Sequence, residues 1–239
     1  MPLLPAVPPV CHALIPAAGI GARAAGDMPK QYRDLCGEPM LAHAVAALAK
    51  VVEIDSVTVV LAPGDAWDES PAAHRLASRH GPRVRFEHCG GATRAASVAN
   101  ALARLEFSAP EDWILVHDAA RPCLDAEAVR HLIETLADDA IGGLLAVPVA
   151  DTVKRASADG RVAATVPRED LWLAQTPQMF RKALMQRAYA CFPGATDEAG
   201  AVEALGLFPR LVRGHFANMK VTYPGDFSLA EAILRARCS

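Results

Sequence analysis

Short apolar runs and longer amphipathic stretches alternate along most of this chain. Cys11–Ile15 predicts a first strand, and it empties into a glycine-bearing loop. Pro39 suits the first turn of a helix over Met40–Val51, whose Leu41, Val45 and Leu48 share one face. The β-branched run Ser56–Leu61 predicts the next strand, stopped by Pro63-Gly64, and Pro71–His80 a polar helix. Val84–Cys89 reads as a strand ended by Gly90-Gly91, Arg94–Leu105 as a helix, and Trp113–His117 as a strand. Asp125–Ala137 then reads as a helix and Gly142–Val149 as another apolar strand. This alternation predicts βαβ units, hence an α/β fold with a mostly parallel sheet and helices on both faces. Ligands of such sheets sit beyond the carboxyl ends of the strands. Here those ends carry Pro16-Ala17-Ala18-Gly19, Cys89-Gly90-Gly91 and His117-Asp118-Ala119-Ala120-Arg121-Pro122.

The rhythm changes after Pro148. Asp151–Ala156 and Arg161–Val166 predict two strands around Ser157-Ala158-Asp159-Gly160, a hairpin turn. A hairpin there would interrupt parallel pairing, so it is expected to project as an arm spanning about residues 149–170. Exposed valines on such an arm want a partner surface. Helices over Arg181–Cys191 and Asp197–Leu205, an extended piece at Asn218–Thr222 and a last helix over Phe227–Ala236 complete the pattern. No linker or internal repeat divides residues 1–239, which read as a single domain.

Composition narrows the function classes. With 52% hydrophobic and 21% charged residues the chain is globular, and a net charge of −3 gives no electrostatic footprint for nucleic acid or an anionic membrane. Any polyanion site must be a local gathering of Arg and Lys. Six cysteines without a CxxC pair argue against a disulfide framework or a zinc knuckle and fit reduced cytosolic thiols. The opening MPLLPAVPPV is apolar but has no basic flank and reads as a lead-in, not a signal peptide. No apolar run approaches the roughly 18 residues of a spanning helix, so a cytoplasmic protein is expected.

Candidate chemistry gathers in Leu14–Leu41. Gly19 and Gly21 follow the first strand, and the cations Arg23 and Lys30 stand in the same loop, a pattern suited to cradling a triphosphate. Gly19-Ile20-Gly21-Ala22-Arg23-Ala24 also matches the G-x-G-x-x-G/A dinucleotide fingerprint, which would suggest an NAD-dependent dehydrogenase. Gly26 and Pro29 break the helix that reading needs, and Ser56–Leu61 lacks the terminal acid that would hold a ribose. Asp118 at a strand end suits Mg²⁺ or substrate hydroxyls, or alternatively an ion pair with Arg121 that pins the loop. His117 suits a base or, more commonly, a satisfied core histidine. Lys220 lies in an extended apolar segment, where it faces either the site or solvent. Arg168, at the base of the hairpin, could grip a phosphate bidentately or be solvated. Thr196-Asp197-Glu198 resembles a helix start. No nucleophile–base pair stands out, as suits phosphoryl or nucleotidyl transfer, which rests on positioning and electrostatics.

Together these segments resemble the 2-C-methyl-D-erythritol 4-phosphate cytidylyltransferases of the non-mevalonate isoprenoid pathway. The matching stretches are Pro16-Ala-Ala-Gly-Ile-Gly with Pro29-Lys-Gln-Tyr32, Gly90-Gly91…Arg94…Ser97-Val98, and Val116-His-Asp-Ala-Ala-Arg-Pro122. They continue with Pro148-Val-Ala-Asp-Thr-Val-Lys-Arg155, Gln175-Thr-Pro-Gln178, Thr196-Asp-Glu-Ala199 and Lys220-Val-Thr222. The resemblance implies a Rossmann-like nucleotidyltransferase fold and a homodimer whose arms reach into each other's sites. It implies CTP and a polyol phosphate as substrates, with Mg²⁺. Carried over by position, Arg23 and Lys30 would hold the triphosphate and stabilise the pentacoordinate phosphorus. Lys220 and a partner's Arg168 would orient the substrate phosphate, and Asp118, Arg121 and Thr152, with Thr176, would meet the polyol. Pro16, Ala17, Ala18, Gly19, Gly21, Gly90, Gly91 and Ser97 would line the nucleotide pocket. Many members of the family carry an arginine at the position of Ala22 and an acid at that of Ala92. A related cytidylyltransferase acting on ribitol 5-phosphate, and a non-catalytic dimer, are the other readings.

Overall fold

The computed structural model describes residues 9–19 and 28–238. Gly21, Arg23 and the turn that would form a dinucleotide fingerprint lie outside the described residues. In chain order, β1 is Cys11–Pro16, β2 Asp34–Leu35, β3 Glu38–Pro39, α1 Met40–Ala49, β4 Ile54–Val60, α2 Pro71–His80 and β5 Val84–Glu87. Then come α3 Arg94–Arg104, β6 Trp113–Val116, α4 Ala126–Leu136 and β7 Gly142–Pro148. β8 Val153–Ala156 and β9 Val162–Val166 form the hairpin, followed by β10 Trp172–Arg181, α5 Lys182–Cys191, α6 Glu198–Glu203, β11 Arg210–Arg213 and α7 Asp226–Cys238.

One seven-stranded sheet, in the order β11-β7-β10-β6-β1-β4-β5, organises the molecule. β1 pairs in parallel with β4 and β6, and β4–β5 and β7–β11 are also parallel. β10 runs antiparallel to both β6 and β7, so the sheet is mixed. Alternate residues of β1 serve the two faces, as a pleated strand buried on both sides requires. Ala13 and Ile15 pack with α1, α2 and α4, through Leu41, Leu48, Leu76 and Leu132 among others. Leu14 faces the other layer with Val98 and Leu102 of α3, Met185 of α5 and Val202 of α6. A third, smaller cluster seats α7 against Leu35, Met40, Ala120, Cys123 and Val221. No helix among the described residues is long and apolar enough to cross a membrane.

The strand β10 departs from the predicted pattern. Its register shifts between Ala174 and Gln178, where it carries a bulge of Gln175-Thr176-Pro177, and a proline in an apolar run reads from sequence as an interruption. The short edge strand β11 and the two-residue pair β2–β3 also lay below the level of the pattern. The segment around Asn218–Thr222, predicted as an extended piece, begins with a bend at Asn218 and joins no sheet; Val221 N–H instead donates to Ala120 O at 2.8 Å. The hairpin β8–β9 forms its own two-stranded sheet and is exposed almost throughout.

Candidate active site

A cleft of about 410 Å³ opens beyond the carboxyl ends of β1, β5 and β6, lined by Pro16–Gly19, Lys30, Gln31, Gly91–Arg94, Ser97, Asp118–Ala120 and Lys220. A smaller annex of about 120 Å³ shares Arg94, Asp118 and Lys220 with it and adds Arg121, Gln175, Thr176, Gln178 and Asp197. Three charged residues thus stand on the boundary between two adjoining pockets.

The first wall is set by the loop after β1. Ala17 N–H extends the ladder to Val60 O at 2.8 Å, and buried Gln31 donates through Nε2 to Ala17 O at 2.7 Å and Gly19 O at 2.8 Å. Tyr32 stacks on Trp67 and donates to Asp65, which fixes the short turn Lys30–Tyr32. Lys30 Nζ donates to Val221 O at 2.7 Å, so its ammonium ties this loop to the segment that bears Lys220.

The second wall is the start of α3. Thr93 caps it by accepting from Ala96 N–H at 3.0 Å, while Ser97 Oγ accepts from Gly91 N–H at 3.0 Å and donates to Thr93 O at 2.9 Å. The positive end of an eleven-residue helix therefore borders the cleft. Gly90 lies behind this wall: its N–H reaches Leu61 O at 2.8 Å, and a Cβ there would sit 2.2 Å from Ala18 Cβ. Its role in the fold is close approach of the two loops.

The third wall carries the charge. Asp118 accepts from Arg94 Nε at 3.0 Å on Oδ1 and from Lys220 Nζ at 2.7 Å on Oδ2, with Arg121 Nε 3.9 Å away. Burial alone would raise the Asp118 carboxyl; Arg94, Lys220 and Arg121 outweigh it and hold the group far below the usual carboxylate range. Asp118 is therefore a fixed anion, not a proton donor. Both terminal nitrogens of Arg94 go to Glu198, at 2.7 and 3.0 Å, and Tyr189 OH donates to the same carboxylate at 2.6 Å. Arg121 turns its Nη atoms to Asn218 O at 2.7 Å and Ala174 O at 3.2 Å, and so braces the loop from behind.

His117 is part of that bracing. It is fully buried, its Nε2 bonds to Arg121 O at 3.1 Å and its Nδ1 to Thr176 Oγ1 at 2.9 Å; Thr176 Oγ1 also accepts from Asp118 N–H at 3.0 Å. With both nitrogens engaged, the imidazole serves as a neutral strut. Desolvation depresses its pKa from 6.5 to about 4. Below neutrality the unfolded chain therefore binds a proton that the folded chain refuses, and stability falls with pH. The expected contribution is a loss of about 2 kcal/mol between pH 7 and pH 5. Urea melts at the two pH values should show a smaller loss in His117→Gln than in the parent; equal losses would refute the assignment.

Thr152 and Arg168 stand on the exposed arm, outside the cleft of their own chain, and Arg168 Nη1 donates to Ala150 O. Gln31, Arg94 and Glu198 were not among the predicted site residues. A cation in the first turn of α3, where the helix dipole opposes it, was the available signal for Arg94. The helix start at 196–198 divides differently from the expectation: Asp197 is the cap, accepting from Gly200 N–H at 2.9 Å, while Glu198 is wholly buried on Arg94. Among the described residues no group of three His, Cys, Asp or Glu could hold a metal ion.

The chain matches the family model of 2-C-methyl-D-erythritol 4-phosphate cytidylyltransferase over residues 11–236. The chain belongs to this cytidylyltransferase family. Its relative of that name from Dechloromonas aromatica is 53% identical over 227 residues, covering 95% of this chain and 98% of the other. One from Nitrosomonas eutropha is 54% identical over 230 residues, covering 94% and 97%. A crystal structure of 4-diphosphocytidyl-2C-methyl-D-erythritol synthase superposes with a TM-score of 0.81 at 42% identity, over 96% of this chain and 100% of that one. The Francisella tularensis cytidylyltransferase gives 0.77 at 31% identity, over 94% and 99%. The fold is thus the Rossmann-like nucleotidyltransferase fold with a mixed sheet, and the cytidylyltransferase family makes this chain a nucleotidyltransferase. The dehydrogenase reading falls with it, and β4 runs out into Leu61-Ala62-Pro63-Gly64 without a ribose-binding acid.

Proposed function

We propose that the cleft takes CTP, that the annex takes the phosphate end of 2-C-methyl-D-erythritol 4-phosphate, and that the chain joins them in the non-mevalonate pathway to isoprenoids. An oxygen of the polyol phosphate attacks the α-phosphorus in line, the bond to the β-phosphate breaks, and 4-diphosphocytidyl-2-C-methyl-D-erythritol and pyrophosphate leave. The observation that carries this reading is Lys220, Arg94 and Asp118 standing on the border of two adjoining pockets, with Lys30 on the cleft wall. A phosphate monoester is largely dianionic near neutrality, so the nucleophile needs no protein base, only a cationic seat and alignment.

In this reading Arg23 and Lys30 hold the triphosphate and stabilise charge on the five-coordinate phosphorus. The α3 N-terminus, Ser97 and the backbone of Ala17, Ala18, Gly19 and Gly91 border the cytidine side. Lys220 orients the attacking phosphate, with Arg168 brought by the arm of a second subunit; Asp118, Thr152 and Thr176 meet the polyol, and Arg121 braces Asp118. The exposed arm, with Val162 66% accessible, supports a homodimer that covers it. Among the described residues the one cleft carboxylate, Asp118, is already held by two cations, so this donor set suits Mg²⁺ carried on the nucleotide's own phosphates rather than a protein cage. When bound there, Mg²⁺ neutralises charge on the pyrophosphate leaving group.

The test is pyrophosphate release with CTP, UTP, ATP and GTP in turn, each with methylerythritol phosphate or ribitol 5-phosphate. The expected result is turnover with CTP and methylerythritol phosphate far above every other pair. Preference for ribitol 5-phosphate would move the polyol assignment, and no nucleotide-dependent release would overturn the function.

A further inference from the structure

The ion-pair chain behind the boundary divides its bonds in a way that substrate contact alone does not require. A guanidinium and a carboxylate prefer to meet as a two-pronged pair. Arg94 could meet Asp118 in that manner, occupying both of its oxygens. It does not: Glu198 takes both terminal nitrogens, and only Nε–H is left for Asp118 Oδ1. Oδ2 is thereby open to Lys220 Nζ, at 2.7 Å. Glu198 is completely buried, lines neither pocket, and is itself held by Tyr189 OH at 2.6 Å.

We infer that Glu198 is a positioning residue for the transfer reaction, which, by holding the Arg94 fork, keeps one oxygen of Asp118 for Lys220 and so aims the lysine at the annex. The order of action runs from Tyr189 through Glu198, Arg94 and Asp118 to Lys220, and only the last three border the pockets. This inference rests on the proposed role of Lys220 toward the substrate phosphate. A purely structural Glu198 would stabilise the junction of α3 and α6 without selecting between the two substrates. A positioning Glu198 acts on the side of the polyol phosphate and leaves the nucleotide side unchanged, because Lys30, Gln31 and Ser97 are held by bonds that do not pass through it.

Glu198→Gln keeps the shape and one acceptor but gives up the charge that holds the fork. In this variant kcat/KM for methylerythritol phosphate should fall by about 10–100-fold, in the range that a small misplacement in an active site produces. KM for CTP should stay near the parent value. An amine-acylating reagent read by mass spectrometry gives a second measure that needs no turnover. Lys220, freed from Asp118, should react several-fold faster in Glu198→Gln, with Lys154 on the arm as the unchanged control. Tyr189→Phe, which removes one hydroxyl, should move both readouts the same way by a smaller factor and serves if Glu198→Gln does not fold. Unchanged Lys220 labelling in a folded variant, or an equal loss toward both substrates, would overturn the inference. A parent protein without transferase activity would instead refute the proposed function, and the labelling result would still decide the coupling of Glu198 to Lys220.

Discussion

Replacing Lys30 with alanine is expected to lower kcat by about 10²–10³, the loss that follows removal of one preorganised group facing developing charge. Lys30 is well placed for that role because its backbone is fixed independently of its ammonium. Gln31 anchors the adjacent peptide to Ala17 O and Gly19 O, and Tyr32 is stacked on Trp67 and bonded to Asp65. The substitution should therefore remove the charge without displacing the loop. The ammonium's bond to Val221 O contributes to joining two loops, and its loss should lower the melting temperature by only a few degrees, as for a single partly exposed hydrogen bond. Steady-state kinetics with saturating CTP, read beside thermal melts, separates the two effects. A variant that melts normally and keeps parental kcat would exclude Lys30 from transition-state stabilisation.

The contrast between Lys30 and Arg94 shows what the sequence made legible. Lys30 stands in a loop past the first strand, after Gly19 and Gly21 and directly behind Pro29, so loop chemistry and strand-end placement pointed to it without any tertiary contact. Most of the fold was legible for the same local reason: α2 spans the predicted Pro71–His80, α1 buries the Leu41, Val45 and Leu48 face that its periodicity laid out, and α3 and α4 fall within their predicted spans. Arg94 becomes a site residue through Glu198, 104 positions away, and no pattern within a helix or loop carries that pairing. β10 was hidden differently. Its bulge carries Pro177 and the buried polar residues Gln175 and Thr176, with buried Gln178 just after it, and these satisfy partners on neighbouring segments, whereas sequence patterning counts them as a loop. Lys220 was ambiguous because the choice between facing solvent and facing the site was framed for a sheet edge. The segment belongs to no sheet, and the bond from Val221 N–H to Ala120 O places its lysine beside Asp118.

Lys220→Ala and Arg168→Ala should each be nearly inactive alone, with kcat/KM for the polyol phosphate down by about 10²–10³, yet regain activity when mixed. Lys220 belongs to the cleft of its own chain, whereas Arg168 stands on the exposed arm outside it. If the arm serves the neighbouring subunit, a mixed dimer holds one site with neither change and one site with both. Random exchange of subunits makes half of the dimers mixed, so about a quarter of parental activity should return. An Arg168 acting on its own chain leaves every site of every dimer with one lesion, and mixing then restores nothing. The decisive measurement is activity against the mixing ratio after subunit exchange through mild denaturant and refolding. A maximum near equal amounts means that the arm crosses between subunits. A flat line at the level of the single variants removes Arg168 from the partner's site and leaves Lys220, Arg94 and Arg121 as the cations at the annex among the described residues.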